Sequence, residues 1–153
     1  MIILGVDPGI NNTGWAVIRK SQKLEYIASG VIKTKAAESL GKRLAYICVE
    51  LAQLLGEYMP QMAALEETFL NNNALSSLKL AHARGAIMAE IAKTGIELQE
   101  FAAKKVKKTI TGHGAADKGQ IIHMVNFLFP KAKITSHDEA DALAIAYCCL
   151  AYL

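Results

Sequence analysis

Hydrophobic and polar positions divide the chain into ten segments. Ile2 to Asp7 is a short, unbroken apolar run ended by Pro8-Gly9, the pattern of a fully buried strand closed by a turn. Gly14 to Ile18 is a second such run, and Leu24 to Thr34 reads as a third strand, with Gly30 the expected position of a bulge. Short connections between the three predict an antiparallel meander. From Glu38 to Tyr58 the period changes: Leu40, Leu44, Ile47, Leu51, Leu54 and Leu55 recur at helical spacing until Pro60. Met62 to Glu66 is a short buried strand, Asn71 to Asn73 a loop and N-cap region, and Ala74 to Thr94 a long helix apolar on most of its circumference. A strand over Ile96 to Glu100, a lysine-rich helix over Ala102 to Thr109, a turn at Thr111 to Gly114 and a helix over Lys118 to Phe129 follow. A final helix, beginning at Ser136, is apolar on every side beyond Asp141. The order β-β-β-α-β-α-β-α-α-α predicts an α/β fold: a mixed five-stranded sheet with helices on both faces, in a single domain over residues 1–153.

Composition narrows the class. No apolar run reaches the roughly 18 residues needed to cross a bilayer, so no membrane role is expected. The first residues lack a basic segment ahead of their apolar run and read as a strand rather than an export signal. Cys48, Cys148 and Cys149 are too few and too poorly spaced for a disulfide framework; three buried thiols in a reducing, cytoplasmic compartment are expected. The net charge of +3 is unevenly placed. Phe101 to Ile134 holds seven lysines against one acid, Asp117, while the remainder carries ten basic and thirteen acidic residues. A basic region beside an acidic remainder points to a polyanionic partner.

Against that background the start of the final helix stands out. Asp138 and Asp141 are three residues apart, which puts both on one helical face with Cβ atoms about 5–6 Å apart. An isolated pair of this kind is most often a dipole-stabilised first turn. Two further acids change the weighing. Asp7 ends the first strand and Glu66 the fourth, and sites in open α/β sheets gather outside the carboxyl ends of strands. If those strands are neighbours, four carboxylates converge on an oxygen-rich site suited to Mg²⁺ or Mn²⁺. With a basic flank, such a site suits phosphodiester hydrolysis.

Several blocks in order carry a resemblance: Gly5-Val6-Asp7-Pro8-Gly9 with Thr13-Gly14, Ala64-Leu65-Glu66, Ala83-Arg84-Gly85, Val106-Lys107-Lys108, Gly112-x-Gly114-x-Ala116-x-Lys118, and Asp138-x-x-Asp141-Ala142-Leu143-Ala144. Together they resemble the RuvC family of Holliday-junction resolvases (crossover junction endodeoxyribonucleases) across nearly the whole chain. The resemblance implies a ribonuclease H-like fold and a homodimer. It implies Mg²⁺-dependent paired nicking of opposed strands at four-way junction DNA in recombination and repair, beside the RuvA–RuvB branch-migration complex. Carried over, it makes Asp7, Glu66, Asp138 and Asp141 the catalytic and metal-binding residues. It makes Lys107 and Lys118 DNA-binding, and Phe69 a DNA-binding aromatic that meets unstacked bases. The chain departs from the family pattern at Ala81-His82 in the second long helix, a change that leaves the four acids untouched, and at Phe101. A close helix crossing is the expected reason for Gly85 inside that helix. The main rival, an ATP-binding module of the actin and sugar-kinase type, shares Asp7-Pro8-Gly9 and Thr13-Gly14 but needs a second lobe.

Overall fold

A computed structural model describes residues 1–67 and 73–153. Its elements follow the expected order: β1 (Ile2–Asp7), β2 (Asn12–Lys20), β3 (Leu24–Lys33), α1 (Leu40–Tyr58), β4 (Met62–Glu66), α2 (Ala74–Ala92), β5 (Glu97–Phe101), α3 (Ala103–Thr111), α4 (Lys118–Leu128) and α5 (His137–Ala151). The five strands form one sheet in the order β3-β2-β1-β4-β5. β3, β2 and β1 are the antiparallel meander. β1 with β4, and β4 with β5, are parallel, each reached through a helical crossover. β1 and β4 are therefore inner neighbours. Both faces of these strands are buried, which is why their sequences are continuously apolar rather than alternating.

Two apolar layers cover the sheet. On one face Leu4, Val6, Val17, Ala63 and Leu65 meet Ile47 and Leu51 of α1 and Ala83, Ile87 and Ile91 of α2. On the other, Ile3, Ala16, Ile18, Met62 and Ala64 meet α3, α4 and α5 through Val106, Ile110, Ile121, Val125, Leu143 and Ile145. α5 is the most deeply placed helix: Ala140, Cys148, Cys149 and all of residues 142–146 are buried. Its apolar circumference is thus explained by contact with the sheet on one side and with α3 and α4 on the others. Burial raises the pKa of all three thiols, Cys149 to about 11, so they stay protonated and unreactive; Cys48, however, is only half-buried.

Two expectations fail. The register break in the β2–β3 ladder lies at Val17/Ile18, where the partner shifts from Ala28 to Tyr26, so the bulged residue is Ile27 and not Gly30. Gly30 instead lies under the Trp15 indole on the neighbouring strand, where any Cβ would collide with the ring. Gly85 has no atom near its would-be Cβ among the described residues, so no helix crossing within the chain accounts for it.

Candidate active site

Asp7 and Glu66 reach the same edge of the sheet because β1 and β4 run parallel with Val6 opposite Leu65. Pro8 cannot continue the ladder, so β1 stops there and leaves Asp7 at its carboxyl end. Residue parity puts Asp7 in line with Ile3 and Gly5, and Glu66 in line with Met62 and Ala64, all on the α5 side of the sheet.

α5 brings the other pair. Ser136 caps it, its hydroxyl accepting from the Glu139 N–H at 3.4 Å, and Asp138 and Asp141 follow in the first turns. The helix lies directly on the sheet because two residues beneath it have no side chain. A Cβ on Gly5 would enter the Ala142 carbonyl and the Ala146 backbone, and one on Gly14 would enter the Asp138 carbonyl. These close approaches hold Asp138 and Asp141 over the ends of β1 and β4. Glu139 turns away, accepting a hydrogen bond from Ser29 of β3 at 3.2 Å.

The four acids feel one another. Asp7 is pushed up to about 8, first by burial, then by the charges of Asp141, Glu66 and Asp138, with Lys118 opposing. Burial also raises Glu66; Asp141 adds to the rise and Lys107 opposes it. Asp141 is raised by burial as well, opposed mainly by Lys118 and reinforced by Asp138. The two lysines thus lie on the carboxylate cluster, from the middle of α3 and the first residue of α4. Asp117 caps α4 through a reciprocal bond pair with Gln120, which fixes the position from which Lys118 projects. Lys105 is engaged elsewhere, its ammonium 3.6 Å from the Tyr152 ring centre.

Two cavities are lined by these acids. One of about 210 Å³ holds Glu66, Asp141, Lys107 and Lys118. The other, about 440 Å³, holds Asp7 and Asp138 at one end and runs between the Pro8–Asn12 loop and Ser76, Lys79 and Leu80 of α2. Among the described residues, no three His, Cys, Asp or Glu side chains are drawn into a ready-made metal cluster. The donor set nevertheless fits a hard divalent cation: it is all carboxylate, and burial and mutual repulsion make each of three acids hold its proton more tightly than usual, a cost a cation would relieve. Phe69 lies outside the described residues.

Sequence reasoning missed Lys79 and Ser76 altogether, and it quoted Arg84 without a role. Lys79 and Ser76 line the larger cavity from α2, and nothing in their local pattern separates them from an ordinary solvated helix face. Arg84 donates from Nε to the Glu66 carbonyl at 3.3 Å and pairs with Glu100, tying α2 to the strand end that carries Glu66.

These features bear comparison with known proteins. The family model for crossover junction endodeoxyribonuclease RuvC matches residues 3–149. A protein of that name from Rickettsia bellii (strain RML369-C) is 53% identical over 152 residues, covering 98% of this chain and 97% of its own. One from Rickettsia felis is 51% identical over 151 residues, covering 97% of each. Thermus thermophilus RuvC superposes with a TM-score of 0.86 at 30% identity, covering 99% of this chain and 95% of its own. The same protein in complex with Holliday junction substrate superposes at 0.91 with 28% identity, covering 99% and 94%. The shared architecture is ribonuclease H-like, and the match extends from β1 through the helix that carries Asp138 and Asp141. With the acids, the lysines and the sheet order all lying inside that match, the chain belongs to the RuvC family of crossover junction endodeoxyribonucleases.

Proposed function

We propose that this chain is a single nuclease domain, residues 1–153, that resolves four-way DNA junctions in the cytoplasm during recombination and repair. The observation that carries the chemistry is the convergence of Asp7 and Glu66, at the ends of β1 and β4, with Asp138 and Asp141 in the first turns of α5, and with Lys107 and Lys118 set on them. The four carboxylates would hold Mg²⁺, with Mn²⁺ as a substitute, one or two ions per subunit. When bound, the divalent cation supplies Lewis-acid charge that activates water and stabilises the leaving oxygen.

The chain's own residues do the rest. Asp7, whose carboxyl is pushed up to about 8, would have to release its proton to hold the cation, so cation affinity should rise with pH. Lys107 and Lys118 neutralise the scissile phosphate and keep it from being repelled by four acids. Hydrolysis replaces one phosphodiester P–O bond by a bond from the phosphorus to water oxygen and leaves ends that can be ligated. No side-chain nucleophile is needed. Phe69 stacks on an unstacked base at the junction centre, an interaction worth about 1–3 kcal/mol per base.

Paired nicking requires two such sites, and a two-fold homodimer provides them. Support for a dimer through α2 comes from its exposed side: Leu75 is 71% and Leu78 54% exposed, and Gly85 is bare. The RuvA–RuvB branch-migration complex is the proposed partner assembly. Among the described residues no helix is long and apolar enough to cross a membrane.

The test is incubation with a four-way junction and with linear duplex of the same sequence, with and without Mg²⁺. Symmetric nicks in the junction that depend on Mg²⁺ are expected. Cleavage of both DNAs at equal rates would remove the junction specificity, and no cleavage of either would remove the nuclease reading. ATP-dependent thermal stabilisation would instead favour the kinase-like module.

A further inference from the structure

One buried charged group has no part in the chemistry above. Arg43 lies one turn into α1 on the face that carries Ile47, Leu51 and Leu55 into the core, and it is 6% exposed. A guanidinium keeps its charge at any pH a protein meets, and burying it is costly unless its donors are matched. None of the ion pairs found among the described residues involves it. Its partners are neutral. Nε donates to Thr34 Oγ1 at 2.9 Å, while Nη2 donates to the Ile10 carbonyl at 3.1 Å and to Asn11 Oδ1. Thr34 reinforces the same contacts: its hydroxyl donates to the Ile10 carbonyl and its N–H to the Asn11 carbonyl. From inside the hairpin, fully buried Thr13 donates to the Gly9 carbonyl at 2.7 Å.

Apart from the Arg43–Thr34 bond, which ties the two donors together, these bonds end on the loop that follows Asp7. That loop lines the larger cavity together with Ser76 and Lys79 of α2 and the acids Asp7 and Asp138. The width of the passage to the acids is therefore set by where Ile10 and Asn11 are held. Only a planar fork reaches Thr34, just past the end of β3, and the loop at once; a lysine's single ammonium on the same stem does not. The charge matters as well. A neutral residue would meet the same acceptors at lower desolvation cost, whereas a cation behind the loop places fixed positive potential beside a passage lined by acids.

We propose that Arg43 is a positioning residue of the reaction: from α1 it fixes the Ile10–Asn12 wall of the cavity and so sets the path of a DNA strand past Asp7 and Asp138. This rests on the nuclease reading above. The test uses full-length Arg43→Lys and Arg43→Gln, compared with wild type below the melting point of each. Three quantities are read: hydrogen exchange of residues 9–13 in the free protein, junction affinity without divalent cation, and the single-turnover cleavage rate at saturating junction and Mg²⁺. For Arg43→Gln, exchange of the loop should speed at least tenfold, cleavage should slow at least tenfold, and affinity should change less than threefold. Arg43→Lys, which keeps the charge and loses the fork, should recover part of the rate. If Arg43→Gln fails to fold, Arg43→Lys carries the same three readings. Unchanged loop exchange would overturn the clamp. Faster exchange with a wild-type cleavage rate would show packing alone and overturn the positioning role. If wild type itself cuts no junction, the nuclease reading has failed and takes the positioning role with it, while loop exchange still decides the clamp.

Discussion

Replacing Asp7 by asparagine should make the protein more stable as it makes it inactive. The folded state holds the Asp7 proton up to about pH 8, whereas a free aspartate releases it near 3.8. Between those values folding takes up a proton, so the contribution of this residue to stability falls as pH rises and levels off above about 8. For an isolated group the loss at pH 7 is on the order of 4 kcal/mol, from roughly three pH units at about 1.4 kcal/mol each. Asp7 is not isolated. Asp141, Glu66 and Asp138 contribute to its shift, and removing one member of a coupled set recovers only part of the whole, about 1–3 kcal/mol. Asparagine has the shape of the protonated acid and no charge to desolvate. In a chain of this size each kcal/mol moves the melting point by about 2–4 °C, so a rise of roughly 3–10 °C is expected.

The assay is thermal unfolding of wild type and Asp7→Asn in EDTA from pH 4 to pH 9, then with Mg²⁺. The stabilisation should be largest at pH 8 and above and shrink to a small fraction of that at pH 4, close to the unfolded pKa of 3.8, where the ionisation of the unfolded state is only partial. Mg²⁺ should raise the wild-type melting point more at pH 8.5 than at pH 6.5, because cation and proton compete for Asp7. It should do little for the variant, which should bind junctions and fail to cut them. An Asp7→Asn protein that melts at or below wild type in EDTA at pH 8 would refute the claim that these acids are held together against their repulsion.

Four further outcomes are expected, three from the geometry and the last, at Phe69, from the family resemblance. Lys118→Ala should slow single-turnover cleavage at least tenfold, weaken junction binding less than threefold and lower the salt slope by no more than about one; an unchanged rate would make Lys118 mere surface charge. Gly14→Ala forces a methyl into the Asp138 carbonyl, so it should destabilise by about 1–3 kcal/mol or more and lower cleavage through displacement of Asp138. Gly41→Ala, which meets open space, should do neither, and equal behaviour of the two in melting and cleavage assays would refute the close-approach argument. Gly85→Ala should gain up to about 1 kcal/mol of helix propensity in the monomer yet weaken self-association in sedimentation, if α2 is the dimer face. Phe69→Ala should abolish the fluorescence change of a base analogue at the crossover, and a retained signal would remove the stacking role.

The residues of the site were legible separately, and their assembly was not. Asp7 and Glu66 could be placed at strand ends because a proline and a change of polarity mark those ends within a few residues. Asp138 and Asp141 shared a helix face by spacing alone. That β1 and β4 are adjacent depends on a crossover through α1, which periodicity does not encode. Arg43 and Lys79 were invisible for the same reason: one is a buried cation inside an apolar helical pattern, the other a lysine on a helix face, and both gain meaning only from a loop more than thirty residues away. Glycine was the ambiguous letter. At position 30 it suggested a bulge, but the Trp15 ring on the next strand is what excludes a side chain there. At positions 5 and 14 it stood inside an apolar run and at the start of one, with no role of its own, yet those two glycines let the α5 backbone rest on the sheet, and the convergence of the carboxylates depends on them. A valine at either would suit the strand and its apolar neighbours better. It would also lift α5 away by the thickness of a side chain, leaving two acids on the helix and two on the sheet with no common cation between them.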